Sequence, residues 1–186
     1  MERYFILASG PSMTREDAEI AGSLGRVIAV NNTVDLYPQA DILWASDIDW
    51  WDYNWTSWKP FQGRKITKKS DVQRRYGLEG FDSLNKCGLN DKCIYMNGNS
   101  GGAAISLAHL LGADEIILLG FDMSVKNGLH WHGKHEKTMN PNEGRIGNWV
   151  NCFNKIAKQT NKVVNCSRRT ELESFPFDKL ESYLSK

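Results

Sequence analysis

The chain has 186 residues, with 23 Lys+Arg against 22 Asp+Glu, 41% hydrophobic and 24% charged residues. This is the composition of an ordinary globular protein and excludes collagen, a coiled coil and wholesale disorder. A formal net charge of +1 argues against a dedicated polyanion binder, and no apolar run approaches the roughly 20 residues of a membrane helix.

Met1 to Leu7 enters an apolar strand without the features of a secretory signal, so the sequence points to a cytoplasmic protein. Cys87, Cys93, Cys152 and Cys166 show no C-x-x-C spacing; a chain this long builds a core without staples, and four reduced thiols are expected. Seven Trp are present, and Trp44, Trp50, Trp51, Trp55 and Trp58 fall within one short segment.

Apolar, β-branched runs predict strands at Tyr4 to Ala8, Arg26 to Asn31, Asp41 to Ala45, Cys93 to Met96, Glu115 to Gly120 and Lys162 to Asn165. Continuous rather than alternating apolar residues are the mark of parallel strands buried on both faces. Thr14-x-x-Asp17 opens a predicted helix that stops at Gly25, a capping-box signature. Further helices are expected over Ser100 to Leu111 and Gly147 to Gln159, and a short closing one over Phe177 to Lys186. The alternation gives an α/β fold: one Rossmann-like domain over 1–186, a mainly parallel sheet flanked by helices. Residues 60–92 read as an irregular insertion with a short strand at Lys65 to Thr67.

Polar residues gather where strands end, the edge at which open parallel sheets bind ligands. Gly10, Pro11 and Ser12 follow the first strand, and their loop, leading into a capped helix, suits a phosphate or ribose. Asn31 and Asn32 end the second strand; Ser46, Asp47 and Asp49 follow the third. Asn99, Ser100 and Gly101, in Asn97-Gly98-Asn99-Ser100-Gly101-Gly102, form a second strand-to-helix junction with exposed amides and a hydroxyl at the N-cap. It matches neither a Walker loop nor a dinucleotide fingerprint. Asp122 ends a further strand, and His130, His132 and His135 cluster nearby as candidates for acid–base chemistry; no metal-ligand spacing accompanies them. His109 reads as structural. The run from Arg64 to Arg75 is the one basic patch, a solvated face or a contact for nucleic acid phosphates.

Ile6 to Ser12, Val27 to Asn32, Asn99 to Gly101, Glu115 to Asp122, the His cluster and Val163 to Ser167 followed by Phe175-Pro176 occur in this order along most of the chain. Together they resemble the bacterial sialyltransferase family, glycosyltransferase family 42, and related phage-encoded proteins of largely unassigned function. The resemblance implies a metal-independent transferase using a cytidine nucleotide sugar, with a histidine as general base. His135 matches the family base best, with His132 the near alternative. By the same resemblance Gly10, Ser12, Asn31, Ser100, Gly101, Asn165 and Ser167 would contact the nucleotide. The family's paired tyrosines have no match, since no Tyr occurs from Met96 to Ser182.

The leading expectation is therefore a glycosyl transfer in which Gly10 and Gly101 amides and Lys134 stabilise the departing phosphate. Asp47, Asp49, Trp50 and Trp51 would form the acceptor wall. Two alternatives stand beside it. One is a magnesium-dependent pyrophosphokinase of the pterin type, with Asp47, Asp49 and Asp122 as ligands. The other is a non-catalytic phage protein that binds a nucleotide or assists assembly, in the host cytoplasm. No membrane partner is expected, and a homo-oligomer is compatible with the sequence.

Overall fold

The fold was obtained as a computed structural model that describes residues 1–134 and 140–185. Seven parallel strands form the main sheet: β1 (Arg3–Leu7), β2 (Arg26–Val30), β3 (Ile42–Trp44), β4 (Arg64–Lys68), β5 (Glu79–Phe81), β8 (Glu115–Leu119) and β9 (Val163–Asn165). Their order is β5-β4-β3-β2-β1-β8-β9. The chain thus builds outward from β1 in one direction, then returns to place β8 on its other side. β1 and β8 flank the point where strand order reverses, and the loops beyond their carboxyl ends frame a crevice.

Side-chain alternation divides each strand between two cores. Tyr4 and Ile6 of β1, Ile28 and Val30 of β2 and Ile116 and Leu118 of β8 face α4 (Ser100–Leu110) and α5 (Glu143–Ala157). Phe5, Leu7, Val27, Ala29, Ile117 and Leu119 face α1 (Arg15–Leu24) and α2 (Ile48–Trp58). Both faces are covered, which explains the unbroken apolar runs and yields the expected Rossmann-like α/β domain. The α1 start is as the sequence indicates: Thr14 Oγ1 accepts from Asp17 N at 3.1 Å. The Asp17 carboxylate turns away, buried, and receives three hydrogen bonds from Arg168 at 2.7 to 3.0 Å.

Two expectations are corrected. The strand expected at Lys65 to Thr67 is present as β4, but the 60–92 stretch is in part main sheet rather than an irregular insertion: β4 pairs with β3 and β5 pairs with β4, with α3 (Asp71–Tyr76) between them. Ile66 is the single fully buried apolar side chain of β4, so the strand presents mostly cations, as an edge region does. Cys93 to Met96 contributes only β7 (Ile94–Tyr95), which pairs with β6 (Ser83–Leu84) in a separate two-stranded sheet packed on α4. At the opposite edge the chain returns after β9: Asn165 N donates to the Pro176 carbonyl and Asp178 N to that of Asn165, forming a bridge with Phe177. The short closing helix is present as a 3-10 helix, Leu180–Ser185.

Candidate functional site at the carboxyl edge of the sheet

A cleft of about 810 Å³ opens over the carboxyl ends of the strands, within the roughly 300–1,000 Å³ common for ligand sites. Gly10, Pro11, Asn31, Asp47, Asp49, Trp50, Asn99, Ser100, Gly101, Asp122 and His130 all line it. The structure therefore brings most of the predicted residues together, though their roles differ.

The junction after β1 is closed by its own bonds. Gly10 N donates to the Gly120 carbonyl at 2.9 Å, Pro11 has no N–H, and Ser12 N and Oγ both donate to Asp122, at 2.9 and 2.6 Å. No amide of Gly10 to Ser12 is left for a phosphate, which corrects the role expected of this loop. Glycine at position 10 serves close approach instead: a methyl there would overlap Asp122 Oδ1 and the Gly120 carbonyl. Burial pushes the Asp122 carboxyl above its ordinary range, opposed by the Ser12 hydrogen bonds.

The junction before α4 is built differently. Asn99, not Ser100, is the N-cap, its Oδ1 accepting from Gly102 N at 2.8 Å. Ser100 and Gly101 occupy the first turn, where helix geometry gives amides no intrahelical acceptor. Trp44 Nε1 donates to the Ser100 carbonyl at 3.0 Å, and the Ser46 and Ser100 hydroxyls lie 3.0 Å apart. The helix start is thus fixed to the end of β3, and Ser100 and Gly101 line the cleft.

Asn31 stands at φ 52°, a left-handed conformation. Its Oδ1 is buried and has no hydrogen-bond partner among the described residues. Asn97 (φ 53°) and Met123 (φ 48°) are also left-handed and follow β7 and β8. Such strain concentrates at functional sites.

Other predicted residues are engaged elsewhere. Asn32 Oδ1 accepts from Trp50 Nε1 at 2.6 Å. Asn165 and Ser167 are buried and do not line the cleft: Asn165 Oδ1 accepts from Ser167 N, while Ser167 Oγ accepts from Phe121 N and holds the end of β8. Trp51 is fully buried, its Nε1 donating to the Ala45 carbonyl, and Trp50 packs edge-on against it. Trp51 is thus core rather than an acceptor wall, while Trp50 shows little more than an edge. The flat ring available at the cleft is half-buried Trp149 of α5, which lies against Gly98. In the sequence Trp149 falls in the helix expected over Gly147 to Gln159, with nothing to mark it as a site residue.

Trp131 N donates to the Ser9 carbonyl at 3.1 Å, tying the histidine loop to the end of β1. The His130 and His132 rings stack with centroids 5.1 Å apart. Burial holds His132 below its ordinary value. His135 lies outside the described residues.

Lys68, Lys86 and Arg145 supply positive charge to the cleft, and Lys68 is the member of the basic run that reaches it. Elsewhere in that run Arg64, Lys69, Arg74 and Arg75 pair with Glu79, Asp82, Asp71 and Asp52, which weakens it as a polyanion surface. His109 pairs with Asp91. Among the described residues no three His, Cys, Asp or Glu side chains converge as a metal site, and no helix is long and apolar enough to cross a membrane. The expectation of four reduced thiols is corrected: Cys87 and Cys152 form a disulfide. No family model, curated protein or solved structure matches the chain.

Proposed function

We propose that the cleft binds a nucleotide-linked sugar and that the protein transfers its glycosyl group to an acceptor hydroxyl, with a histidine as base. The observation that carries this reading is Asn31: a buried oxygen without a partner, in a strained turn, in the same cleft as the first-turn amides of α4. A buried acceptor is costly unless a donor meets it, and a base amine or ribose hydroxyl is such a donor. The amides of Ser100 and Gly101, with Lys68 and Lys86 on the same lining, would take the phosphates. Trp149 offers a face for the base or sugar ring.

In the transfer step the acceptor hydroxyl loses its proton to a neutral imidazole as its oxygen bonds to the anomeric carbon. The nucleotide phosphate leaves toward the α4 amides. Burial favours the neutral form of His132, which stacks on His130, and His130 is the one of the two that lines the cleft. The magnesium-dependent alternative would rest on Asp47 and Asp49, because both Asp122 oxygens already accept from Ser12.

The test combines a thermal-shift screen of CMP, UDP, GDP and ADP compounds, with and without magnesium, and mass spectrometry of nucleotide sugars. His130→Ala, His132→Ala and His135→Ala serve as controls. We expect a nucleotide to raise Tm without magnesium and one histidine change to abolish turnover. Strict magnesium dependence would favour pyrophosphoryl transfer; binding without turnover would favour a nucleotide-binding protein. If no nucleotide shifts Tm, the reading is wrong.

A further inference from the structure

One chemically distinctive pair on the cleft takes no part in binding or transfer as proposed. Cys87 and Cys152 are disulfide-bonded across 65 residues of sequence, with Cα atoms 4.8 Å apart, and both line the cleft. The two anchor points are unequal. Cys87 sits on a fixed segment: Asn97 N donates to the Lys86 carbonyl, and the Asn97 side chain bonds both N–H and C=O of Gly88. Cys152 sits within α5 at the boundary between its two halves. Beyond it Phe153 and Ile156 are fully buried, and Gln159 accepts from Leu89 N at 2.7 Å. Before it no residue from 143 to 151 is buried, although Arg145, Ile146 and Trp149 line the cleft. Gly144 and Gly147 fall in this half and weaken it further as a helix.

The bond therefore lies where fully buried core residues give way to a half-buried wall, in which Trp149 and Val150 pack at the margin of the core and the rest of 143–151 faces outward. We propose that Cys87–Cys152 is a redox clamp on the ligand cleft. Oxidised, it seats the Trp149 wall against the segment of Cys87; reduced, it lets the first half of α5 loosen and lowers affinity for the ligand. This rests on the reading of the cleft as a nucleotide site. In the closing reaction two thiols lose two protons and two electrons, and a low-molecular-weight disulfide accepts them to become two thiols. In the opening reaction a small thiolate attacks the sulfur of Cys87, the more exposed of the pair, and Cys152 leaves as a thiolate. A second small thiol then resolves the mixed disulfide. In a reducing compartment a disulfide of this kind cycles rather than standing as a static staple.

The experiment uses the wild-type chain equilibrated with glutathione disulfide or with dithiothreitol. Alkylation mapping should protect Cys87 and Cys152 only in the oxidised sample, with Cys93 labelled in both. Without ligand, amide exchange over 143–151 should quicken several-fold on reduction while that of β1 and β8 is unchanged. Affinity for whichever of CMP, UDP, GDP or ADP binds should fall about tenfold, the cost of ordering a loosened wall. Cys87→Ser, Cys152→Ser and the double variant should behave as reduced protein and ignore the reagent. Labelling of Cys87 after glutathione disulfide, equal exchange in both states, or equal affinity in both states would overturn the clamp. Redox-dependent exchange with no nucleotide bound would support the clamp and refute the nucleotide reading alone.

Discussion

Two strand-to-helix junctions meet at the cleft, and in sequence they look alike: Gly10-Pro11-Ser12 after β1, and Asn99-Ser100-Gly101 before α4. Both combine glycine with small polar residues. In the fold the first is satisfied by the segment after β8, through Gly120 and Asp122, whereas the second is braced from outside by Trp44 and Ser46, and Ser100 and Gly101 line the cleft. A glycine-rich loop is thus a ligand cradle only if its donors have no protein acceptor, and the acceptor lies more than 100 residues away in one case.

The comparison breaks most readily at Asp122. Asp122→Ala would leave the buried Ser12 amide and hydroxyl without an acceptor, so urea denaturation should show a loss of about 2–4 kcal/mol. A variant as stable as the parent would mean that the β1 junction is not held in this way. On the open side, Trp149→Ala removes a half-buried ring at the margin of the core, so it should cost less stability than Asp122→Ala but weaken nucleotide binding by about 1–3 kcal/mol in calorimetry, the usual worth of a stacked base. Asn31→Ala removes an oxygen that has no partner to lose, so stability should stay within about 1 kcal/mol. Nucleotide affinity should nevertheless fall about tenfold, roughly 1.4 kcal/mol. An Asn31→Ala protein that binds nucleotide normally would remove the observation on which the proposed function rests.

The smallest effect concerns His132, whose burial lowers its pKa below the ordinary value of about 6.5. A neutral ring is the form favoured in the fold. Its contribution to stability is complete above the ordinary value and is lost as pH falls through the depressed one. The transfer rate should accordingly be flat around neutrality and decline only below the usual histidine range, and His132→Gln should abolish turnover if His132 is the base. A pH profile identical in the two proteins would assign the proton to another histidine.

Much of this architecture was readable before the fold was seen. Local rules place the α1 cap at Thr14, and doubly apolar runs announce parallel strands with covered faces. β4 was legible as the short strand at Lys65 to Thr67, but its place inside the main sheet was not, because a strand rich in Arg and Lys has the same appearance as a solvated basic patch, and its acidic partner Glu79 arrives only with β5. The tryptophans were conspicuous as a cluster, yet the acceptors for their indole N–H groups, the Ser100 and Ala45 carbonyls and Asn32, are set by tertiary packing. Asn165 and Ser167 sit at a strand end like ligand contacts, and become brackets only because Phe121 N needs an acceptor. Pairing of Cys87 with Cys152 could not be foreseen from four cysteines without recognisable spacing.

The return of the chain past Asn165 bears on self-association. An uncovered outermost strand exposes a row of backbone donors and acceptors to any neighbouring chain. Here the Pro176 carbonyl and Asp178 amide already occupy the outer side of β9, so that margin of the sheet is shielded from adding a foreign strand. The other margin, β5, carries the Arg64–Glu79 pair across its last strand junction, and charge discourages the same event there. The two ends of one sheet are protected by different means, one by a covering segment and the other by charged side chains.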